Sequence, residues 1–233
     1  MTTATLTPTD LRTRDLALQQ LEWDSRVDAS GVGVTARNGV VALTGSIDSY
    51  AGKLAAERAV KRVRGVRAVA NDLQVTLRIE HTDTDLAADA VRALDVHVTL
   101  PSTVQVVVHN GHVVLTGMVH TLFQRVVAEK ALRYVKGIKG IVNRLVVVPV
   151  TSADDIRPRV VRALYQDADV DPRGLEVTVS EGTVTLTGTV RSWHERESAE
   201  RAATHAPGIT HVDNRISVVW PEDINSRAQD ELC

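Results

Sequence analysis

Clustered lysine and arginine side chains are the residues of this sequence whose spacing most suggests a chemical role. They occur in two stretches that match in position, on the side of a predicted helix opposite a stripe of small apolar residues, so we expect them to be exposed. Each cation near an anionic surface contributes about 1 kcal/mol, so five of them predict a weak attachment that salt weakens further. The alternative is an ordinary solvated helix face. The candidate residues are Arg58, Lys61, Arg62, Arg64 and Arg67 in the first stretch, and Lys130, Arg133, Lys136 and Lys139 in the second.

Histidine and aspartate clusters do not predict a metal site. His109, His112 and His120 surround one predicted hairpin, but they lack the i, i+4 spacing of a helical ligand pair, and no Cys or Glu completes the set. The acidic run that begins at Asp83 lacks the glycine and the terminal glutamate of a calcium-binding loop, so helix capping explains it better. We therefore predict neither a metal nor a cofactor.

The sequence also offers no catalytic group. Neither a Ser/His/Asp nor a Cys/His arrangement is suggested by spacing, and the single cysteine is Cys233 in a polar tail. Neither Gly-x-Gly-x-x-Gly nor Gly-x-x-x-x-Gly-Lys-(Ser/Thr) occurs, so phosphate loops are not indicated. Aromatic residues make up 3% of the chain and are scattered, which disfavours a single-stranded nucleic-acid binder. We predict a protein that is not an enzyme and binds no nucleic acid.

One sequence motif occurs three times. Gly45, Gly117 and Gly188 close the three copies and lie 72 and 71 residues apart, and a fixed period of this length predicts three tandem small domains. The predicted boundaries are a disordered N-terminus at 1–9, repeats at 10–80, 81–150 and 151–221, and a polar tail at 222–233.

Each repeat is predicted to contain a helix, two strands, a second helix and a third strand. Asn38-Gly39 and Asn110-Gly111 are strong signals for a two-residue hairpin turn, and Glu181-Gly182 is a weaker version. A helical connection then allows the third strand to pair parallel to one hairpin strand. Ser49, Thr121 and Ser192 are predicted to cap the second helices.

Glycine and asparagine residues at fixed places of the repeat are assigned to backbone geometry instead of ligand binding. The amides of Asn71, Asn143 and Asn214 are expected to bind local backbone. The structural glycines are Gly39, Gly45, Gly65, Gly111, Gly117, Gly137, Gly182, Gly188 and Gly208.

Charge is distributed unevenly along the chain. Residues 9–80 contain 11 basic and 9 acidic residues, whereas residues 151–221 contain 8 basic and 11 acidic ones. Opposed ends of this kind could favour head-to-tail packing. The first ten residues have neither a basic start nor an apolar segment, and no disulfide can form within the chain, so we expect a cytoplasmic protein.

The repeat resembles the BON domain, a bacterial module named for osmotically inducible and nodulation proteins. The resemblance rests on (Asn/Glu)-Gly-x-Val-x-Leu-Thr-Gly-x-(Val/Ile), an alanine-rich helix, and a closing Gly-(Val/Ile)-x-x-(Val/Ile)-x-Asn, and it covers nearly the whole chain three times. It implies an α+β fold in which each repeat has a three-stranded mixed sheet with two helices on one face. It also implies an accessory role linked to envelope or osmotic stress; some relatives associate with phospholipids and others sense small ions.

Three functions remain open at this point. The first is a non-enzymatic module of a stress response that binds anionic phospholipid weakly, as a peripheral protein at the inner membrane surface, through the basic helices of the first two repeats. The second is a sensor of a small ion or metabolite bound between repeats. The third is a protein–protein scaffold built by edge-strand pairing. The oligomeric state is not predicted.

Overall fold

A computed structural model describes residues 7–77, 81–149, 156–167, 169–206 and 208–219. The predicted α+β fold is confirmed: a unit of helix, strand, strand, helix and strand is repeated, and each unit forms a small mixed sheet. The first repeat contains α1 (Pro8–Trp23), β1 (Val32–Arg37), β2 (Val40–Ile47), α2 (Tyr50–Lys61), β3 (Ala68–Asn71) and β4 (Gln74–Val75). The second contains α3 (Asp83–Asp95), β5 (Gln105–His109), β6 (His112–Thr116), β7 (Met118–Val119), α4 (Leu122–Leu132), β8 (Gly140–Asn143) and β9 (Val146–Val147). The third contains α5 (Ile156–Gln166), β10 (Leu175–Ser180), β11 (Thr183–Val190), α6 (Trp193–Thr204), β12 (His211–Asn214) and β13 (Ser217–Val218).

The hairpin turns have the two-residue geometry that the sequence predicts. Arg37 pairs with Val40, which leaves Asn38 and Gly39 as the turn, with φ values of 51° and 77°. The other two repeats have the same signs of φ, and Glu181 takes the positive value of 48° despite its side chain. Positive φ at both central residues defines the type I′ turn, whose twist matches that of the flanking strands.

The crossover strand is parallel to the returning hairpin strand but is interrupted. Leu43 pairs with Asn71 and Ser46 with Gln74, so β3 and β4 keep one register along β2 and are two segments of one strand. Leu73 lies between the segments and is 1% exposed. The predicted continuous strand is therefore broken where this leucine enters the core.

Both helices of the first repeat contribute to one core on one side of the sheet. Val41 and Leu43 of β2 are fully buried, as the alternating pattern predicts. They share a core cluster with Ala56 of α2 and with Ala17 and Leu21 of α1. Small residues on α2 allow the helix to lie close to the strands.

The buried side of α1 does not follow all of its leucines. Leu11 and Leu16 are 39% and 37% exposed. The buried positions are Asp10, Thr13, Ala17 and Leu21, which follow helical spacing but include two polar side chains. Thr13 satisfies its hydroxyl by donating to the Thr9 carbonyl at 2.9 Å, so the helical stripe is not visible from apolar residues alone.

Helix starts are capped by side chains. α1 begins at Pro8 with Thr7 as its N-cap, so residues 7–9 of the segment predicted to be disordered belong to the helix start; residues 1–6 and the tail at 222–233 lie outside the described residues. The hydroxyls of Ser49, Thr121 and Ser192 accept the predicted backbone hydrogen bonds at 3.1 Å each.

Packing divides the chain into two units. The first comprises Met1–Leu94, Val106–Val114 and Ala131–Val142, and the second comprises Asp95–Gln105, Leu115–Lys130 and Asn143–Cys233. The second repeat contributes to both. Each of these two packing units therefore contains one joint, by which we mean the contact between two successive repeats.

Candidate anion-binding surface

The nine candidate cations do not share a helix face, which corrects their predicted placement. Arg58 and Lys61 lie in α2 and Lys130 lies in α4, but α2 ends at Lys61 and α4 at Leu132. The remaining six lie in the loops that lead from these helices to β3 and β8. They are Arg62, Arg64, Arg67, Arg133, Lys136 and Lys139.

Two cations of α2 are already engaged by the helix itself. The Lys61 ammonium lies 2.8 Å from the Glu57 carboxylate, and the Arg58 guanidinium donates to the Leu54 carbonyl at 3.2 Å. Burial raises the pKa of Glu57, but Lys61 and the Asn71 amide outweigh this effect, so the pKa lies below its ordinary value. Both cations are half-buried, so they offer little charge to an external anion.

Arg62 is held by a buried carboxylate. Asp24 follows α1 and has only 6% of its side chain exposed. It accepts hydrogen bonds from Arg26 at 2.8 and 2.6 Å and from Arg62 at 3.0 Å. The Arg26 guanidinium, with help from Arg62, holds the pKa of Asp24 far below its ordinary value. Arg62 therefore has a structural partner that the sequence did not reveal.

The other cations of the first repeat lie at the end of the sheet formed by the hairpin turn. The Arg67 N–H donates to the Gly39 carbonyl at 2.7 Å. A Cβ atom on Gly39 would lie 2.9 Å from Cγ and Cδ of Arg67 and 3.0 Å from the Gly65 carbonyl oxygen. Glycine thus lets the basic side chain and the loop carrying Arg64 close over the turn.

The second repeat repeats this arrangement. The Lys139 N–H donates to the Gly111 carbonyl at 2.8 Å, and a Cβ atom on Gly111 would lie 3.1 Å from Cδ of Lys139. In the third repeat Thr210 takes this place: its N–H donates to Gly182 at 2.9 Å. By the repeat spacing, Pro207 and Thr210 stand where the first repeat has Arg64 and Arg67, so the third repeat lacks these cations.

An acidic residue lies beneath each of the first two turns and accepts hydrogen bonds from the turn backbone. Asp10 accepts from the Asn38 N–H at 2.7 Å, and Asp83 accepts from the N–H groups of Asn110 and Gly111 at 2.7 and 2.9 Å. Hydrogen bonds from Thr7 lower the pKa of Asp10, and those from Gly111 and Asn110 lower the pKa of Asp83. The sequence assigned Asp83 to helix capping; instead it ties the helix start to the hairpin.

Four cations remain available at these turns, and we call Arg64, Arg67, Lys136 and Lys139 the hairpin-end cations. All four are exposed. Within the part of the chain that the structure describes, none of their side chains makes a hydrogen bond or an ion pair. Arg37, the last residue of β1, is also exposed beside the first turn. Arg37 lies on a strand, outside the helical spacing that marks the other candidates, so the sequence did not indicate it.

The asparagine amides bind backbone, as the sequence predicts, and also bind a glutamate. Asn71 donates to the Lys53 carbonyl at 3.1 Å and to Glu57 at 3.2 Å, while its oxygen accepts from the Leu73 N–H at 3.4 Å. Asn143 and Asn214 make the equivalent bonds. These amides therefore hold the second helix against the break in the crossover strand.

In each repeat, a cation four residues after the N-cap of the second helix contacts the break in the crossover strand. The Lys53 ammonium donates to the Leu73 carbonyl at 2.7 Å, and Arg196 donates to the Ile216 and Asn214 carbonyls at 2.9 and 2.6 Å. Arg125 reaches the Asn143 carbonyl at 3.4 Å. These cations are committed to the strand break and are not part of the anion-binding surface.

A cavity of about 470 Å³ lies within the first packing unit, where the first repeat meets the second. The start of α2 contributes Ser49 and Tyr50, and the loop after α4 contributes Arg133, Tyr134 and Lys136. His81 and the acidic Asp48 also line it. Because Arg133 and Lys136 outnumber Asp48, the wall suits an anionic ligand better than a cation.

The histidines and aspartates weighed as metal ligands make other contacts. Within the described ranges, no group of three or more His, Cys, Asp or Glu residues could hold a metal ion. Asp85 instead accepts from the Thr82 hydroxyl at 2.7 Å, and Asp89 pairs with Arg92. His109 lies 3.1 Å from the Asn110 amide.

Comparison with known proteins identifies one family. The BON domain matches at residues 9–76, 82–149 and 152–219. None of the curated proteins gives a significant match. Two matching solved structures come from CdsD, a structural protein of the type III secretion system of Chlamydia trachomatis. One shares 15% identity over 94% of this chain and 96% of that chain, with a TM-score of 0.28. The other, its C-terminal domain, shares 14% over 93% and 100%, with a TM-score of 0.26. At such TM-scores neither likeness supports an inference about function.

Proposed function

Because this chain belongs to the BON domain family, with three tandem copies, we propose that it binds anionic phospholipid surfaces through the hairpin ends of its first two repeats. BON domains are generally associated with membrane or phospholipid interaction and with stress responses, and proteins containing them are typically non-catalytic. No helix of the described chain is long and apolar enough to cross a bilayer. Attachment through surface charge is the mode that these features support.

The hairpin-end cations are the observation that carries this proposal. In the first two repeats they are exposed, and the nearby carboxylates of Asp10 and Asp83 are occupied by backbone donors. At about 1 kcal/mol for each cation near an anionic surface, four give about 4 kcal/mol, which corresponds to a dissociation constant on the order of 1 mM. This binding is peripheral, reversible and sensitive to salt. The protein acts as a non-enzymatic cytoplasmic module that attaches at the inner membrane surface under stress.

Replacing the hairpin-end cations with glutamine is expected to abolish co-sedimentation with vesicles rich in phosphatidylglycerol. A matched variant removes the same number of exposed charges elsewhere and should keep most of the binding. Its substitutions are Arg12→Gln, Arg159→Gln, Arg162→Gln and Arg191→Gln.

Equal loss in both variants would mean that only net charge matters, and unchanged binding in the hairpin-end variant would refute the assignment. Circular dichroism of both variants checks that the fold is retained. Arg58, Lys61 and Arg62 are left intact because their contacts with the protein would confuse loss of binding with loss of stability.

The cavity where the first repeat meets the second favours a second function, the sensing of a small anionic metabolite. Arg133 and Lys136 would supply the charge and Tyr50 the apolar wall. We expect nucleotides or inorganic phosphate, at millimolar concentration, to raise the melting temperature by a few degrees. Lys136→Gln should reduce this shift, whereas Lys130→Gln, an exposed charge on α4, should not. Flat melting curves with every anion would remove this candidate.

A further inference from the structure

In the first packing unit, the start of α2, the second helix of the first repeat, meets the end of α4, the second helix of the second repeat. Tyr50, the first residue of α2, shares a cavity wall with Arg133 and Tyr134, which directly follow α4. Tyr134 also lies within electrostatic range of Arg26, in the loop that follows α1. This joint connects the first repeat to the second.

The second packing unit contains a joint between equivalent positions. Leu122, the first residue of α4, is 7% exposed and belongs to the core cluster of the third repeat. The rings of Phe123 and His205 lie 5.0 Å apart. By the repeat spacing, Leu122 corresponds to Tyr50 and His205 corresponds to Tyr134. In both joints, therefore, the start of the second helix of one repeat meets the residues that follow the second helix of the next repeat.

Two equivalent positions take part in neither joint: the start of α6 in the third repeat and the end of α2 in the first. Trp193 begins α6 at the place of Tyr50 and Leu122 and is half-buried, and the adjacent His194 side chain is 57% exposed. At the end of α2, Arg62 stands at the place of Tyr134, and its side chain is 47% exposed. Arg64, at the place of Lys136, is also exposed.

We propose that the chain associates head to tail with a second copy of itself, so that the start of α6 in one copy docks on the end of α2 in the other. The register of the first joint places Arg62, which also pairs with Asp24, opposite Asp169, the equivalent of Arg26. Asp169 lies 3.3 Å from the His194 ring and keeps 54% of its side chain exposed. An aromatic anchor and an opposite charge thus face the end of α2.

Net charge supports the same pairing. The third repeat carries an excess of acidic residues and the first an excess of basic residues. Glu195 and Glu197 follow Trp193 on α6, whereas the exposed Arg64 follows the end of α2, where Lys61 and Arg62 pair with Glu57 and Asp24. Because the two faces differ, the association is heterologous and does not close after two copies.

Analytical ultracentrifugation without lipid, at low ionic strength, tests this proposal. The weight-average mass should rise with concentration from the 25.3 kDa chain beyond that of a dimer. Arg64→Glu and Trp193→Ala should each weaken association at least about tenfold, a loss of about 1.4 kcal/mol. Arg12→Glu makes the same charge change on an exposed residue of α1 and should leave association unchanged. If circular dichroism shows that Trp193→Ala is unfolded, Asp169→Arg replaces it.

A mixture of the two variants distinguishes head-to-tail packing from a symmetric dimer. A chain with Arg64→Glu keeps its α6 face and a chain with Trp193→Ala keeps its α2 face, so the mixture should form dimers and nothing larger. A wild-type chain that stays monomeric at every concentration, or a mixture that fails to associate, would overturn the proposal. A wild-type chain that associates as expected but does not bind anionic vesicles would count against the lipid surface only.

Discussion

Alanine at Gly45 is expected to destabilise the first repeat by about 3 kcal/mol or more. Gly45 has φ of 101°, and a Cβ atom there would lie 2.2 Å from the Gly31 carbonyl oxygen. Backbone cannot rotate away as a side-chain tip can, so β1 and β2 would have to separate. Hydrogen–deuterium exchange measured by mass spectrometry should show loss of protection in β2, with the third repeat unchanged.

Gly65→Ala is the control that separates backbone strain from collision. Gly65 has φ of 87°, but the nearest atom to its added Cβ is the Thr13 hydroxyl at 3.7 Å. This variant should lose only about 1 kcal/mol. If both variants lost the same stability, the close approach of the Gly31 carbonyl would not explain the glycine at 45.

Asp24→Asn is expected to cost about 1.5–3 kcal/mol at neutral pH, because it removes charge-assisted hydrogen bonds to Arg26 and Arg62 from a buried carboxylate. The pKa of Asp24 is lowered in the folded chain, so its stabilisation is complete above the ordinary value of 3.8 and is lost as the pH falls further. The difference between wild type and variant in free energy of unfolding should therefore shrink below about pH 4. Urea unfolding at several pH values measures it.

Asp171→Asn is the matched control in the third repeat. Asp171 pairs with Arg173 at 2.9 Å, but 40% and 84% of their side chains are exposed. An exposed pair of this kind contributes little to stability, so this variant should lose much less than Asp24→Asn. Equal losses for the Asp24 and Asp171 variants, or a difference for Asp24 that does not change with pH, would contradict the role of burial.

Much of the fold could be predicted because local signals agree with the repeat. Asn38-Gly39 specifies its turn through the positive φ that both residues require, and Val41 and Leu43 indicate the buried face through their alternation. The buried side of α1 could not be predicted, because polar residues form part of it. Thr13 is buried there because its hydroxyl bonds the Thr9 carbonyl, and no hydrophobic pattern records such a bond.

The candidate surface was predictable in composition but not in position. The sequence identified Arg64, Arg67, Lys136 and Lys139 as exposed cations, yet it extended the helices past Lys61 and Leu132 and so placed these cations on a helix face. It could not show that Asp24 binds Arg62, because these residues are 38 positions apart and only tertiary packing joins them. A contact of this kind determines which cations are available to bind an external anion.

Differences among the repeats suggest a division of roles. The first two repeats carry basic side chains across the turn glycines Gly39 and Gly111, whereas the third has Thr210 over Gly182. The same backbone hydrogen bond is present in all three, so the scaffold is shared and the charge is not. We expect the third repeat to contribute little to an anionic surface.

Co-sedimentation of the wild-type chain with vesicles tests the central claim most directly. Phosphatidylcholine vesicles and vesicles containing phosphatidylglycerol would be compared at low and at physiological ionic strength. The account predicts binding to the anionic vesicles only, falling about tenfold or more between the two salt concentrations. Equal binding to neutral vesicles, or binding to anionic vesicles that salt does not weaken, would contradict attachment through the hairpin-end cations.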